Sequence, residues 1–385
     1  MNSGSVLVVY SGWLGDLVWI FPAIRALGSA FESVSLVVSK TQAPLAEVLK
    51  NGVVDHLYVD DSSRRLATAK QVRQDARARG TRTFIDLKGR GKTGLYIPWG
   101  RGNTVMIPHK SDAREYVFAR LLHPLAASLP ARSTGHMVDA YLSGLSGLGI
   151  ENVPVSFDLP FDDATVAAGE AIVEREGLRE RKSIALNIGS AQFSKIWPAE
   201  NYRRLAEILE QDLDCKVVIM GSRDFSPNGD YDMQQSQEIF STTPFTNLIE
   251  ETSLPVDAYL LSSGGFNVVV GNDSFAGHMA GSASQVGAGT EGAVQADNGR
   301  WYKGNPTVSL FGPTNPLYCR PYDPTDSFNT VVMPETYPDA CVYDHVAHTC
   351  PHYGDRYCVD RAHCMAELKV EQVVAAIEQK LPGGR

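Results

Sequence analysis

The amino-acid sequence predicts an α/β protein with two domains, each built on a parallel sheet covered by helices. Short apolar runs alternate with helical patterns through most of the 385 residues, and this order is typical of βα repeats. Two such series flank residues 152–163, a segment rich in Pro, Asp and Phe without helical periodicity. A chain of this length is sufficient for two separate hydrophobic cores.

The first series predicts a domain at residues 1–160. It opens with a continuous apolar run at residues 6–10, as expected for a strand buried in a parallel sheet. The elements predicted after it are a helix at 17–30, a strand at 33–38, a helix at 43–51, a strand at 54–59, an exposed helix at 63–79 and a strand at 83–87.

The second series predicts a domain at residues 161–385. Its strands are predicted at 183–187, 216–220, 267–271 and 307–311, and its helices at 199–213 and 370–381. Packing of the last helix on the first domain is left open. Residues 282–305 contain five glycines and no periodic pattern, so they are expected to form a long loop.

Charge and hydropathy exclude some classes of partner. A net charge of −9 disfavours nucleic acid and anionic membranes, because proteins that bind them carry a basic excess. The longest apolar run, residues 17–24, contains Pro22 and is too short to span a bilayer, and no secretory signal precedes it. The prediction is a cytoplasmic protein without a transmembrane segment, with peripheral work at the inner membrane left open.

The first predicted βα turn, residues 11–16, has the sequence Ser-Gly-Trp-Leu-Gly-Asp. Gly12 and Gly15 allow a tight turn, and the helix that follows presents N–H groups that attract anions. The dinucleotide fingerprint needs three glycines and is therefore absent. From the spacing alone, Asp16 is interpreted as the N-cap of that helix.

A basic loop follows the strand predicted at 83–87. It contains Lys88, Arg90, Lys92 and Arg101. Gly91-Lys92-Thr93 is not a Walker loop, because position 86 is Asp where that motif requires Gly. Ligands of open α/β sheets bind at the carboxyl ends of strands, so this loop is a candidate binding site for an anionic acceptor. A solvated turn is the alternative.

Three turns of the second domain follow predicted strands and should lie at one edge of its sheet. Lys195 could hold a phosphate as a point charge, and Asp273 or Ser274 suits a helix N-cap with amides available for a diphosphate. The residues concerned are Lys195 ahead of Trp197 and Pro198, then Asp273, Ser274, Gly277 and His278, and then Gly312, Pro313 and Thr314.

Together these motifs resemble glycosyltransferase family 9, the bacterial heptosyltransferases of lipopolysaccharide core assembly. The matching segments are residues 15–17, 21–27, 85–89, Lys195 with 197–198, 272–274, 277–278 and 311–314. The resemblance implies a GT-B fold, with two Rossmann-like domains whose parallel sheets face a central cleft. It also implies an inverting, metal-independent glycosyl transfer, with ADP-heptose as the family's usual donor.

The resemblance assigns roles to individual residues. Asp16 would be the general base and Lys195 would neutralise the departing diphosphate. The donor site would contain Gly189, Ser190, Asp273, Ser274, Gly277, His278, Gly312, Pro313 and Thr314. The acceptor site would contain Gly15, Lys88, Arg90 and Lys92.

Two features depart from the family pattern. Phe275 stands where the family has Gly, and residues 282–305 stand where the family has a short connection. Within that insertion, Trp301 or Tyr302 could stack on a sugar, and a mobile surface excursion is the alternative.

Other functions remain compatible with the sequence. The donor could be another nucleotide-sugar, and the acceptor a glycan, a small-molecule glycoside or a protein. A nucleotide-sugar epimerase and a non-catalytic nucleotide-sugar-binding protein are rivals on the same fold. A nicotinamide-dependent oxidoreductase is disfavoured by the missing glycine fingerprint.

Four cysteines are grouped near the end of the chain, at Cys341, Cys350, Cys358 and Cys364. They lack the short spacings of common zinc modules. In the protein-modifying members of the family, such cysteines hold an iron. A structural Zn or Fe ion, disulfides and free thiols therefore remain alternatives, and none is assigned to catalysis.

Overall fold

Two parallel sheets organise the part of the chain that the structure, a computed structural model, describes. They lie in two units, residues 1–162 and 163–385. The described residues are 2–87, 91–98, 103–106, 127–128, 135–190, 193–221, 244–249, 251–263, 265–335 and 364–381. Within these ranges, no helix has the length and hydropathy needed to cross a membrane.

The first unit contains a sheet in the order β3-β2-β1-β4-β5-β6, with every neighbouring pair parallel. Its strands are β1 (Asn2–Tyr10), β2 (Phe31–Ser39), β3 (His56–Asp60), β4 (Thr83–Asp86), β5 (Asn103–Met106) and β6 (Ala127–Ser128). This is the order of a doubly wound nucleotide-binding fold, in which ligands bind where the order reverses. In this unit the reversal lies between β1 and β4.

The first unit contains six described helices, and two of them replace one predicted helix. They are α1 (Leu14–Trp19), α2 (Phe21–Ala30), α3 (Ala43–Val48), α4 (Arg65–Ala78), α5 (Gly91–Gly94) and α6 (Met137–Ser146). The single helix predicted at 17–30 is two helices that meet at Ile20. Pro22 has no N–H to donate to the preceding turn, and it occupies the second position of α2, where that loss costs little.

The second unit repeats the strand order of the first. Its strands are β7 (Ser183–Asn187), β8 (Lys216–Met220), β9 (Thr246–Asn247), β10 (Val268–Asn272), β11 (Ser284–Val286), β12 (Val294–Gln295), β13 (Trp301–Lys303), β14 (Thr307–Leu310) and β15 (Asn329–Val332). The main sheet is parallel, in the order β15-β14-β10-β7-β8-β9. The order reverses between β7 and β10, so the carboxyl ends of these two strands define the expected ligand edge.

The last helix belongs to the core of the second unit. The helices of this unit are α7 (Asp163–Glu176), α8 (Ala199–Gln211), α9 (Leu254–Ser262), α10 (Phe275–Gly281), α11 (Pro316–Cys319) and α12 (Val370–Glu378). The last of them, α12, packs on α8, β14 and β15. Its residues Val373 and Ile377 are fully buried in the same hydrophobic cluster as Leu205 and Val308.

The prediction of a long loop at residues 282–305 is wrong. This segment contains a small antiparallel sheet in the order β11-β13-β12. Its strands have only two or three residues, too few for a visible alternation in the sequence. The segment leaves the end of α10 and returns to the start of β14. Helices that follow parallel strands run back to the amino ends of the strands, so the insertion lies at the edge opposite the ligand edge.

Gly281 lets the end of α10 approach β14 closely. A Cβ atom there would press on the Thr307 hydroxyl and lie 2.9 Å from Cβ of Pro321. We therefore expect Gly281→Ala to lower the free energy of unfolding by about 1–3 kcal/mol, measured by urea denaturation followed by circular dichroism. Gly287→Ala is the matched control, since the nearest atom to its Cβ would be the Thr290 hydroxyl at 3.9 Å. Equal stability of the two variants would contradict the close approach.

Candidate active site

The turn after β1 is held by a buried glutamine. The Gln42 side chain has no exposed surface, and its Oε1 accepts hydrogen bonds from the backbone N–H groups of Gly12 (3.3 Å) and Ser39 (3.0 Å). Its Nε2 donates to the carbonyl oxygen of Trp13 at 2.8 Å. The turn that leads into Asp16 is therefore fixed by a side chain that the sequence analysis did not select.

Asp16 lies in the first turn of α1 and is partly exposed. Trp13 is the N-cap of this helix, so the N-cap interpretation of Asp16 is wrong. The backbone oxygen of Asp16 accepts a hydrogen bond from the Tyr10 hydroxyl at 3.0 Å. Its place in the first turn puts Asp16 near the positive end of the helix dipole.

A buried carboxylate ties three segments of the first unit together. Asp60 ends β3 and is 5% exposed. Its carboxylate accepts from Ser11 Oγ (2.8 Å), Arg65 Nε (2.8 Å) and the Tyr96 hydroxyl (2.6 Å). Burial by itself would raise the pKa of Asp60, but these hydrogen bonds and the Arg65 charge hold it below its usual range.

Ser11, Asp60, Arg65 and Tyr96 form what we call the Asp60 cluster. This cluster was not predicted from the sequence. A signal was present: Asp60 and Ser11 both follow predicted strands, and the carboxyl ends of parallel strands share one edge of a sheet. Tyr96 gave no such signal, because no strand or motif predicted from the sequence places it near Asp60.

Only some of the predicted acceptor residues lie in the part of the chain that the structure describes. Asp86 ends β4, is fully buried and accepts a hydrogen bond from the Thr93 hydroxyl at 2.7 Å. Lys88, Arg90 and Arg101 lie outside the described residues, as does the side chain of Lys92 in α5. Gly15 lies in the first turn of α1, next to Asp16.

In the second unit, the predicted donor residues converge on one carboxylate. Asp273 follows β10 and is 5% exposed. Its Oδ2 lies 2.7 Å from Lys195 Nζ and 2.7 Å from the Thr314 hydroxyl, and its Oδ1 lies 3.2 Å from Nε2 of His278. We call these four residues, which come from three separate turns, the Asp273 cluster.

The charge state of Asp273 follows from its partners. Burial alone would raise its pKa, but the Lys195 charge and the hydrogen bonds from His278 and Lys195 hold the pKa well below its usual range. The carboxylate is thus ionised and is matched by the ammonium group of Lys195, whose side chain is 15% exposed. His278 is 2% exposed and lies against Asp273, as a supporting partner of the carboxylate.

The other predicted donor residues surround this cluster. Ser274 is the N-cap of α10 by backbone geometry but makes no side-chain cap; its Oγ accepts from Asn187 Nδ2 at 3.2 Å instead. The same Asn187 amide donates to the carbonyl oxygen of Gly189 at 3.2 Å, and Ser190 beyond it is buried. Gly277 lies on the sheet side of α10, against Asn272 and Ser309.

A buried network below the cluster fixes Asn272 and the turn that carries Lys195. Asn272 Oδ1 accepts from the Tyr202 hydroxyl at 3.0 Å and from the backbone N–H of Trp197 at 3.4 Å. The rings of Trp197 and Tyr202 meet edge to face with centroids 4.9 Å apart. Trp197, two residues after Lys195, therefore anchors that turn on the residue next to Asp273.

The aromatic residues of the insertion do not lie at this site. Tyr302 is 1% exposed, and Trp301 pairs with Val286 and Gln295 within the small sheet. At the far end of the insertion, the Asn305 amide donates to the carbonyl oxygens of Leu261 and Ser262, where α9 ends. Trp301 and Tyr302 therefore lie away from the Asp273 cluster, at the opposite edge of the sheet.

Of the four candidate metal-ligating cysteines, Cys341, Cys350 and Cys358 lie outside the described residues. Cys364 is 4% exposed and lies in the core of the second unit. In the described ranges, no group of three or more His, Cys, Asp or Glu side chains is arranged to hold a metal ion.

Comparison with solved structures supports the class of fold. The chain matches a family 9 glycosyltransferase from Veillonella parvula DSM 2008 with a TM-score of 0.69 and 19% identity, covering 98% of this chain and 97% of that one. It matches the E. coli ADP-heptose heptosyltransferase II (TM-score 0.63, 17% identity, 98% of each chain). It also matches the E. coli heptosyltransferase WaaC with ADP (TM-score 0.63, 15% identity, 98% and 99%). These likenesses show the α/β fold of the GT-B glycosyltransferases.

The sequence also matches the model of a known family. The model of glycosyltransferase family 9 (heptosyltransferase) matches residues 110–285, so the resemblance predicted from the motifs is confirmed. Together, this match and the fold identify the chain as a glycosyltransferase that resembles family 9. No curated protein matches the sequence.

The depressed pKa of Asp273 predicts a pH-dependent contribution to stability. A carboxyl whose pKa is lower in the folded protein stabilises the fold fully above its ordinary value of 3.8, and this contribution is lost as pH falls below it. Asp273→Asn should therefore lower the free energy of unfolding by about 3 kcal/mol at pH 7, with a smaller difference below pH 3.8.

Urea denaturation of wild type and variant at several pH values measures that difference. Glu251→Gln is the control, because Glu251 forms an exposed pair with Arg175 and should change stability little at any pH. A wild-type to Asp273→Asn difference that stays constant down to pH 2.5 would show that the Asp273 carboxylate is not held in its charged form.

Proposed function

We propose that the chain is an inverting, metal-independent glycosyltransferase that moves heptose from ADP-heptose to an acceptor hydroxyl. The observation that carries this proposal is the Asp273 cluster, which holds the Lys195 ammonium at the point where the second sheet reverses its strand order. The family resemblance supports the reaction type, and the relative solved with ADP supports the nucleotide.

Lys195 has the chemistry to stabilise the leaving group. When the bond between the anomeric carbon and the diphosphate breaks, its electron pair remains on a phosphate oxygen, where negative charge develops. The Lys195 ammonium donates to the carboxylate of Asp273 at 2.7 Å and to its backbone oxygen at 3.3 Å, and its positive charge would attract that phosphate oxygen. A charge already held in place needs little reorganisation during the reaction, which favours catalysis.

Asp273 suits a positioning role better than direct contact with the donor. Its carboxylate would repel a diphosphate, and the structure directs it toward Lys195, Thr314 and His278. By engaging these three side chains, it fixes the ammonium and the Thr314 turn at one place. The phosphate contacts then fall to Lys195, Thr314 and the Gly189–Ser190 turn, which are part of the donor site that the family resemblance implies.

Asp16 is the proposed general base. Its carboxylate would take the proton of the acceptor hydroxyl as that oxygen forms a bond to the anomeric carbon, on the face opposite the departing diphosphate. The Gln42 anchor holds the turn that leads to Asp16, and the first turn of α1 places this residue near the positive end of the helix dipole. Transfer with inversion requires this single displacement and no covalent intermediate.

The proposed acceptor is anionic. The basic residues Lys88, Arg90 and Lys92 suit an anionic acceptor, such as the lipopolysaccharide core that the family modifies, and a glycoside or a protein is the alternative. A nucleotide-sugar substrate is consistent with a cytoplasmic location, with peripheral work at the inner membrane for a lipid-linked acceptor.

A ligand screen tests the proposal. Purified protein is heated with ADP, UDP, GDP or dTDP and with their available sugars, including ADP-heptose; a ligand that binds the folded state raises the midpoint of unfolding. ADP and ADP-heptose should give the largest increase. Preference for another nucleotide would overturn the proposed donor, and absence of binding by all of them would overturn the transferase proposal. A product formed from the donor alone would favour an epimerase.

Replacing the proposed base separates chemistry from donor binding. Asp16→Asn keeps the size of the side chain but cannot accept the proton, so the transfer rate should fall by roughly 10²–10⁴-fold. The affinity for ADP, measured by calorimetry, should remain within about twofold, because the base acts on the acceptor. Glu47→Gln, at an exposed pair with Lys50, is the control. A loss of ADP affinity as large as the loss of rate would contradict the assignment.

Removing Lys195 should affect both steps. Lys195→Ala is expected to weaken ADP binding by about tenfold or more and to reduce kcat by roughly 10²-fold, because the same charge meets the bound and the departing diphosphate. Lys182→Ala removes an exposed lysine of the same unit and should change neither quantity. Unfolding curves of both variants establish that they are folded, and unchanged kinetics for Lys195→Ala would exclude it from the site.

A further inference from the structure

Gly312, one of the predicted donor residues, lies against two buried sulfur atoms. A Cβ atom at this position would lie 2.6 Å from Sδ of Met365 and 2.8 Å from Sγ of Cys364, closer than real Cβ contacts allow. Met365 has no exposed surface and Cys364 is 4% exposed, so neither side chain can move into solvent. Packing against these two sulfur atoms therefore favours glycine at position 312 even without a bound ligand.

The same segment of the chain also contacts the turn that carries Lys195. The 3-10 turn Cys364–Glu367 packs on the 3-10 turn Phe193–Lys195. Just beyond it, the carbonyl oxygen of Leu368 accepts a hydrogen bond from Nε1 of the fully buried Trp197 at 3.0 Å. Residues 364–368 thus contact the two turns that contribute Lys195 and Thr314 to the Asp273 cluster.

We propose that residues 364–368 form a brace that positions Lys195 and Thr314, with Cys364 and Met365 as positioning residues. This inference rests on the proposed function for its consequence in donor binding, whereas its effect on Lys195 can be measured without any ligand. It assigns Gly312 to packing on the brace and gives that residue no contact with a phosphate.

Two short paths connect the brace with the cluster. On one side, Gly312 is two residues before Thr314, whose hydroxyl donates to Asp273 at 2.7 Å. On the other side, Trp197 donates through its backbone N–H to Asn272, the neighbour of Asp273, at 3.4 Å. Since both paths end at Asp273, displacement of the brace is expected to weaken the bond between Asp273 and Lys195.

A rescue experiment tests this brace. Gly312→Ala forces the turn away from the sulfur atoms, so Lys195 in the variant without ligand should react with an amine-specific acylating reagent about tenfold faster, as followed by mass spectrometry. Adding Met365→Ala removes the nearer sulfur and leaves space into which the Cys364 thiol can rotate. The double variant should return to within about threefold of Met365→Ala alone.

Two controls make the result specific. Leu209→Ala opens a cavity in the same core but leaves both sulfur atoms next to Gly312 in place, so it should not rescue Gly312→Ala. Gly287→Ala should leave Lys195 labelling unchanged, because its Cβ has open surroundings. The brace proposal would be overturned if Lys195 in Gly312→Ala were labelled at the wild-type rate. It would also be overturned if Met365→Ala gave no rescue. Trp197→Phe, which loses the bond to Leu368, should also accelerate labelling.

Calorimetry with ADP separates the brace from the proposed function. If wild type binds ADP, Gly312→Ala should weaken binding by about tenfold and the double variant should restore it. If Gly312 instead contacts a phosphate, the added methyl group would block ADP binding whatever residue stands at position 365, and the double variant would not restore binding. If wild type binds no nucleotide, the proposed function fails, while the labelling experiment still decides the brace.

Discussion

The buried carboxylate of Asp273 is the constraint on which the second unit depends. A charge removed from water must be paired, and Asp273 meets this requirement with an ammonium group and a hydroxyl from two other turns and with the imidazole of His278 in the helix that follows it. The strands that deliver these turns are adjacent in one parallel sheet, so their carboxyl ends meet. The arrangement that satisfies Asp273 also fixes Lys195 where the proposed reaction requires positive charge.

The first unit uses the same physical device with different residues. Asp60 is buried at the carboxyl end of β3 and collects hydrogen bonds from Ser11, Arg65 and Tyr96, while Gln42 holds the turn that leads to Asp16. In both units, a buried polar side chain joins loops that the sheet alone would leave independent. Of the two departures from the family pattern, only Phe275 lies next to the Asp273 cluster, because the insertion at 282–305 occupies the other edge of its sheet.

Much of the fold followed from the sequence, because strands buried in a parallel sheet are continuous apolar runs. The strands at 183–187 and 216–220 were predicted to the residue, and the family motifs placed Lys195, Asp273 and Thr314 at one edge. The predictions failed where the pattern was short or local chemistry intervened. The strands of two or three residues in the insertion had no visible period, and Pro22 divided a helix whose apolar pattern was continuous.

The sequence by itself determined which residues carry charge and which strand each of them follows. Only the tertiary structure decided their partners: that Asp273 holds Lys195, that Tyr96 reaches Asp60, and that Gly312 faces the sulfur atoms of Cys364 and Met365. The physical reason is that periodicity and turn chemistry act over a few neighbouring residues. Pairing of buried groups depends instead on distances between segments far apart in the chain, which are fixed only when the sheets and their helices have packed.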